Sequence, residues 1–585
     1  MEQEYYSVKV TVSPLGEGRY RSRIEPQAPD GANYGAGNDF KFDTACSKEF
    51  SNKLSAGAVT RDMVVKFGQS LFQSVFQTEV RDKYNALKGL AENRKLKLRI
   101  CLALHSPELI NTSWEFLHDG TNFLIKHGYP VVRVLDELVG AKSSFAPIRK
   151  VLVAAANPKN PDYQPFDAVA HVQKIVKLLK DSNIHPEVLQ AASREGLLDK
   201  IRSGGFDALY FVGHGEASDQ GGQLICEKED ASPDPLESSD LAGALREVEN
   251  LRFVYLNSCS TARTAEANPF QGVAQRLMLD GDVAAVAAMQ VDVRQKAGLA
   301  IAEAFFASLI HRSPEDAMHS ARTGAQDDGY SFGIPVLYSY LDAPDQYEKN
   351  CLETFLSAGP ESKYALVLPS FFLGYPAEED HTGPSLPRRV LTLAWNKIRE
   401  PKYRFPGETF SREDAEAAVN VMKLLSRITE PDEIQVSVLQ KDLPTAFTHY
   451  FLFGSKSNRY VPAVQKEFQE KFELQFSETE WLIRDKEHGS REYKVQAPDK
   501  LATTAYKDQD DYGVIQKVRA DNRVYFLLAG LGSRATQGCG WYLYRNWRAN
   551  VTDQDFAILL KFPGGLDFGQ ARLIDRQTGQ PQLKS

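Results

Sequence analysis

The stretch "FDALYFVGHGEASDQ", residues 206–220, decides the fold. Leu209 to Val212 form a short apolar run that stops on Gly213-His214-Gly215, and the pattern returns in "LRFVYLNSCSTARTAE", residues 251–266. There the run Phe253 to Leu256 ends in Asn257-Ser258-Cys259-Ser260. Each run is too short for a buried helix and is rich in β-branched and aromatic residues, so each reads as a strand buried on both faces. One strand ends in a histidine, the other in a cysteine.

Residues 148–342 alternate between two patterns. Strands are predicted at "RKVLVAAA", "PEVLQAA", "ALYFVG", "RFVYLNS", "VAAVAAM" and "IPVLYSYL", with helices such as "FDAVAHVQKIVKLLK" and "AGLAIAEAFFASLI" between most of them. Short apolar strands alternating with amphipathic helices imply βαβ units and an α/β fold with a mostly parallel sheet covered on both faces. Ligand chemistry in such sheets gathers beyond the carboxyl ends of the strands, where His214 and Cys259 fall. A thiol is only partly ionised at neutral pH, and a neighbouring imidazole can raise the thiolate fraction or protonate a leaving amine. Glycines beside His214 permit close backbone approach, and the N–H groups of Gly215 and Cys259 are candidate oxyanion donors. Against this, an isolated cysteine at a strand end is commonly a small buried hydrophobe, and a histidine beside glycine a turn residue.

Around this core, residues 1–147 read as an α+β accessory domain. Val65, Leu71, Phe72, Val75 and Phe76 mark the apolar face of a helix, and Trp114 is a core or interface anchor. The segment "ASDQGGQLICEKEDASPDPLESSDLAGAL" reads as a surface loop or hairpin, either a plain connection or a gate. Residues 346–585 read as a second α/β region of one or two Rossmann-like subdomains, with Ser411 and Asp414 opening a helix. Two Gly/Ser-rich turns after strands, carrying Gly454, Ser455 and Asn458 and then Gly530, Gly532, Ser533 and Arg534, are either tight βα turns or the border of a site for a nucleotide-type signal.

Composition bounds the rest. The 585 residues suggest three to four domains, and 25% charged with 42% hydrophobic residues is ordinary for a globular chain. A net charge of −8 gives no reason to expect direct nucleic-acid binding. The N-terminus lacks a signal-peptide pattern and no window is apolar enough to span a membrane, so a cytoplasmic chain without membrane insertion is expected. The six cysteines form no CxxC pair, which argues against zinc and against a disulfide framework. No metal or other cofactor is expected.

The region 148–342 resembles a CHAT domain, of the caspase and separase group of cysteine peptidases. The resemblance rests on "LYFVGHGE", "VYLNSCSTA", "NPFQGVAQRLMLDGDVAAVAAMQVDV" and "SFGIPVLYSYL", with upstream support from "PELINTSWEFLHDGTNFLIKHGYPVVRVLD". It implies a caspase-like six-stranded sheet, His214 as general acid/base and Cys259 as the nucleophile. Asn257 stands where many relatives carry an acidic residue that shapes a pocket for a basic P1 side chain. Asp292, and with it Gln290, falls at a position that either lines that pocket or caps the next helix. The resemblance further implies an intracellular endopeptidase of bacterial antiphage or stress defence. Such an enzyme cleaves a dedicated protein partner encoded nearby, a gasdermin-like pore former or another proenzyme. The alternative is a non-catalytic signalling or scaffold protein whose C-terminal region binds a nucleotide-type signal.

Overall fold

The computed structural model describes residues 5–27, 35–135, 148–161, 163, 165–181, 184–218, 221–258, 272–291, 295–309, 312–324, 328–340 and 343–369. Beyond these it describes 375–376, 403–404, 411–438, 446–454, 458, 460–467, 474–476, 482–485, 491–495, 509–520, 522–552, 554–565 and 568–578. Two compact units form, Glu2–Cys351 and Leu352–Ser585, and the division falls within the helix Ala343–Leu356.

Among the described residues the first unit has fourteen strands: β1 (Tyr5–Gly16), β2 (Arg19–Pro26), β3 (Ala36–Lys41), β4 (Lys97–Leu104), β5 (Val131–Val134), β6 (Lys150–Ala155), β7 (His185–Leu189), β8 (Ala208–Val212), β9 (His214–Ser218), β10 (Gly221–Glu227), β11 (Pro233–Glu237), β12 (Phe253–Asn257), β13 (Ala285–Met289) and β14 (Pro335–Ser339). Eleven of them make one sheet in the order β3-β2-β1-β4-β5-β14-β13-β12-β8-β6-β7. Neighbours from β12 through β7 are parallel, as are β1, β4, β5 and β14, and the polarity reverses at the antiparallel pair β13–β14. Strands β8, β12 and β13 are buried at every position, as expected for parallel strands with helices on both faces. Near the edge, β2 alternates exposed and buried residues along most of its length.

The six strands predicted in 148–342 all form. The boundary expected near residue 147 does not separate two sheets, because β1 to β5 continue the same sheet through β14. Three fully buried arginines bind the halves together. Arg99 makes two bonds of 2.6 Å to the Glu315 carboxylate, Arg133 donates to Gln290 at 3.1 Å while pairing with Glu115 in its own half, and Arg322 donates to the Val131 carbonyl and, in its own half, to that of Pro335. Such pairs tolerate burial only when nearly every donor is satisfied, which fixes which strands meet. The partners that cross between the halves lie 157 to 216 residues apart in sequence, so composition and period give no hint of them.

Local signals fare better. Trp114 is wholly buried, its indole N–H donating to the Leu109 carbonyl and its ring stacked on Phe42. The helix Arg61–Val75 buries Val64, Phe67, Leu71, Phe72 and Val75, with Val65 only half-buried. Ser193 caps the helix Arg194–Gly204 and Gly205, at φ 57°, closes it in the left-handed region, which turns the chain into β8.

The second unit centres on a seven-stranded sheet, with a separate three-stranded sheet of Leu474–Phe476, Leu482–Asp485 and Arg491–Lys494. Ile434–Val438, Tyr364–Leu368, His449–Phe453 and Arg523–Gly530 lie side by side in parallel. Asp511–Ala520, Phe556–Phe562 and Arg572–Thr578 then extend the sheet antiparallel. The helix Arg412–Leu425 opens as expected, with Ser411 Oγ accepting from the Asp414 N–H.

Candidate active site

Strands β8 and β12 are parallel neighbours, paired from Ala208 with Phe253 to Val212 with Asn257. The Gly213 N–H continues the ladder to the Asn257 carbonyl at 3.4 Å. Gly213 has a steric reason to be glycine. A Cβ there would lie 2.9 Å from the Ala156 carbonyl oxygen and from the Phe211 ring.

The next residue is His214, half-buried, which opens β9 opposite Ile225 of β10. Its ring is stacked on Tyr163, with centroids 4.8 Å apart and planes 18° apart, and meets Phe166 edge-on at 5.8 Å. Gly215 follows opposite Leu224. The segment expected as loop or hairpin is thus an antiparallel meander, β9-β10-β11, whose inner residues Leu224, Cys226 and Leu236 join the core. Burial pushes the Cys226 thiol up to about 12, which keeps it an inert hydrophobe. Beside β8, the Ser258 backbone leaves the end of β12 within the described chain. Cys259 follows it and lies outside the described residues, as do Asp292 and Ser455.

Beneath these strand ends is a cluster that neither spacing nor periodicity predicts. Asn257 Nδ2 donates to the Tyr210 hydroxyl at 3.0 Å, and that hydroxyl lies 2.6 Å from His171 Nε2. Burial lowers the His171 pKa to about 4, so the imidazole is neutral and Nε2 is an acceptor for Tyr210. Asn257 was expected to face substrate. Instead its amide is turned into this cluster and the residue is 7% exposed.

Gln290 was expected to touch substrate as well, and its carboxamide is taken up internally. Nε2 donates to Glu115 at 2.7 Å and to the Gly333 carbonyl at 3.0 Å, while Oε1 accepts from Arg133 at 3.1 Å. It satisfies a buried ion pair, and exposing it would leave that pair incomplete.

Among the described residues, the Gly/Ser turns of the second unit bond their polar groups internally. At the start of the helix Ser533–Asn546, the N–H groups of Gly532 and Ala535 donate to the two carboxylate oxygens of Asp511, both at 3.0 Å. The positive end of that helix is therefore occupied by the chain's own anion. Burial pushes the Asp511 pKa up to about 6, against the pull of its backbone donors. Gly530 leaves no room for a Cβ, which would lie 2.4 Å from Thr536 N, and its own N–H donates to Thr536 Oγ1. Arg534 donates to the carbonyls of Phe562 and Pro563. At the other turn Gly454, at φ 82°, donates to the Leu528 carbonyl. Asn458 is fully buried, its amide bridging the Val367 and Phe453 carbonyls. In their described residues both turns spend these groups on the chain itself, and nothing there supports a nucleotide-type ligand.

Among the described residues no group of three or more His, Cys, Asp or Glu side chains has metal-binding geometry, and no helix is long and apolar enough to cross a membrane. No curated protein matches the chain. Among solved structures, the Arg-specific cysteine proteinase gingipain R aligns at 12% identity and TM-score 0.33, covering 51% of this chain and 76% of its own. Separase in the Saccharomyces cerevisiae separase–securin complex aligns at 12% identity and TM-score 0.37 over 58% of this chain, which spans 30% of separase. A secreted C11 cysteine protease from Bacteroides thetaiotaomicron aligns at 11% identity and TM-score 0.23, over 37% of this chain and 72% of that one. The CHAT family matches residues 65–343, the segment that contains β8, β12 and the histidine between them. Residues 65–343 thus match the CHAT domain family and fold as α/β about a mostly parallel sheet.

Proposed function

We propose that this chain is a cysteine endopeptidase in which His214 and Cys259 form the catalytic dyad. The observation that carries the reading is the in-register pairing of β8 with β12, which brings two chain segments off the sheet side by side. One presents His214. The other presents Ser258, with Cys259 one residue further along a chain whose consecutive Cα atoms are about 3.8 Å apart.

In this reading the Cys259 thiolate adds to the scissile carbonyl, with the N–H groups of Gly215 and Cys259 facing the oxyanion. The C–N bond breaks as His214 gives its proton to the amine. Water, deprotonated by the same imidazole, then releases the acid from the thioester. Asp292 lines the pocket for a basic P1 side chain. The protein substrate is a dedicated partner encoded nearby, cleaved inside the cell in a bacterial antiphage or stress response.

The test is active-site labelling of the full chain with a panel of peptide acyloxymethyl ketones, followed by mass mapping. Cys259 labels ahead of the other five cysteines, and His214→Gln removes its advantage. Equal labelling of Cys259 in wild type and His214→Gln would falsify the dyad. Asp292→Ala lowers labelling by ketones with a P1 arginine and spares those with apolar P1; equal losses assign Asp292 to helix capping.

A further inference from the structure

The segment between β6 and the helix Ala168–Asp181 carries Tyr163 and Phe166 against His214. It is fastened at several points to the meander that begins at His214. The Asn157 N–H donates to Glu227 at 2.9 Å and the Lys159 N–H to the Ala231 carbonyl at 2.7 Å. Asn157 Nδ2 closes the segment on itself through the Phe166 carbonyl at 2.7 Å. Within this frame the Tyr163 hydroxyl donates to Glu216 at 2.8 Å, and the second oxygen of Glu216 accepts from Gln223 at 2.8 Å. The ring so fixed lies nearly parallel to the imidazole, while Phe166 closes on it edge-first.

A histidine on a strand end has two free torsions, and its ring torsion is broad. A parallel aromatic face blocks rotation about that torsion, and a perpendicular edge blocks displacement sideways. Geometry of this kind matters because a proton must pass along one direction, and a misplacement of about 1 Å can cost about a hundredfold in rate. Resting on the peptidase reading, we propose that Tyr163 is a positioning residue that clamps the His214 imidazole in its catalytic orientation, anchored through Glu216. It acts through the histidine, and flatness of the side chain is the property required.

The test compares Tyr163→Phe, Tyr163→Leu and Glu216→Ala in the full chain by two readouts. The first is turnover of the peptide best cleaved by the wild type. Tyr163→Leu lowers kcat by about ten- to a hundredfold with KM within about twofold, while Tyr163→Phe and Glu216→Ala, which each break the anchoring bond but keep a flat ring, retain more of kcat than Tyr163→Leu. The second readout is the ring-current shift of the His214 signal in chain labelled with [13Cε1]histidine, assigned by its loss in His214→Gln. The shift persists in Tyr163→Phe and vanishes in Tyr163→Leu. A Tyr163→Leu variant with wild-type kcat, or one that raises KM alone, overturns the proposal, the latter because Tyr163 would then be a substrate wall. Should the wild type cleave no peptide, the peptidase reading fails by itself and the NMR signal still judges the clamp. A His214 signal without a Tyr163-dependent shift overturns it.

Discussion

Two strand ends in this molecule look alike in sequence and differ in structure. After β8, Gly213-His214-Gly215 breaks an apolar run; after Arg523–Gly530, Leu531-Gly532-Ser533-Arg534 does the same. In the second, the backbone N–H groups find Asp511 on the adjoining strand and the arginine finds two carbonyls, so the turn is closed on itself. In the first, the chain leaves the sheet with a half-buried histidine held between aromatic rings. A glycine-bounded strand end therefore says that the backbone is crowded, as it is at both Gly213 and Gly530. Whether chemistry follows depends on what the neighbouring strand supplies.

The widest gap between the two turns is in activity. His214→Ala lowers peptide cleavage by about a thousandfold or more, the loss typical when one member of a catalytic group is removed. Its melting temperature stays near that of the wild type, because the ring is half-buried and packs on a surface segment. Cleavage rates and thermal melts of purified variants measure both, and residual activity within about tenfold of wild type would dissolve the distinction.

At the closed turn the effect is on stability. Asp511→Ala leaves the Gly532 and Ala535 N–H groups without their acceptor in a buried site, where an unmet donor costs about 1–3 kcal/mol. Asp511→Asn keeps one acceptor oxygen and loses less. Urea unfolding followed by hydrogen exchange on the helix Ser533–Asn546 reads the difference. An alanine variant as stable as the wild type would mean the helix end is satisfied from elsewhere, reopening the turn as a ligand site.

The legible part of the molecule was the part specified locally. Continuous apolar runs announced the parallel strands, the Ser411 cap announced its helix, and the strand-end histidine stood out because a polar residue followed a buried run. What stayed hidden depends on partners distant in sequence. Gln290 and Asn257 looked like pocket residues because they sit beside the expected nucleophile and the S1 position. Their amides are instead used by Glu115 and Arg133 in one case and by Tyr210 in the other. Asp511 escaped notice because it lies on a different strand from the turn it caps. Tyr163 was missed for the opposite reason, since an aromatic among prolines and asparagines reads as a loop residue until the ring beneath it is known.

Acid separates the two units by a smaller margin. In the first, burial lowers His171 and His319 to about 4. An unfolded histidine takes up a proton near pH 6.5 while these stay neutral, so stability present above pH 6.5 is lost as pH falls toward 4. Asp207, raised by burial, offsets part of this. In the second unit His449 behaves like the first two, but Asp414 and Asp511 are raised to about 6 and are penalised in their ionised form. Acidification from pH 7 to 5 removes that penalty, so the second unit holds its protection while the first loses it. Hydrogen exchange at the two pH values, corrected for intrinsic rates, tests the order, and His171→Gln flattens the loss in the first unit. Parallel losses in both units would show that other groups dominate.

The smallest effect is expected at Arg534, the residue with the strongest claim to an anionic ligand on sequence grounds. Its guanidinium donates to the Phe562 and Pro563 carbonyls and lies 6.0 Å from the Phe568 ring centre. These carbonyls lie at the end of a strand, and solvent can replace a donor there more readily than at Asp511, which is 3% exposed. Arg534→Ala should therefore cost no more than about 1 kcal/mol, the net worth of an ordinary hydrogen bond, and leave peptide cleavage unchanged. Arg534→Lys restores a single donor and recovers part of the loss. Should Arg534→Ala leave melting untouched yet change cleavage, the arginine is coupled to the dyad by something other than packing. The two turns would then have to be ranked by function again.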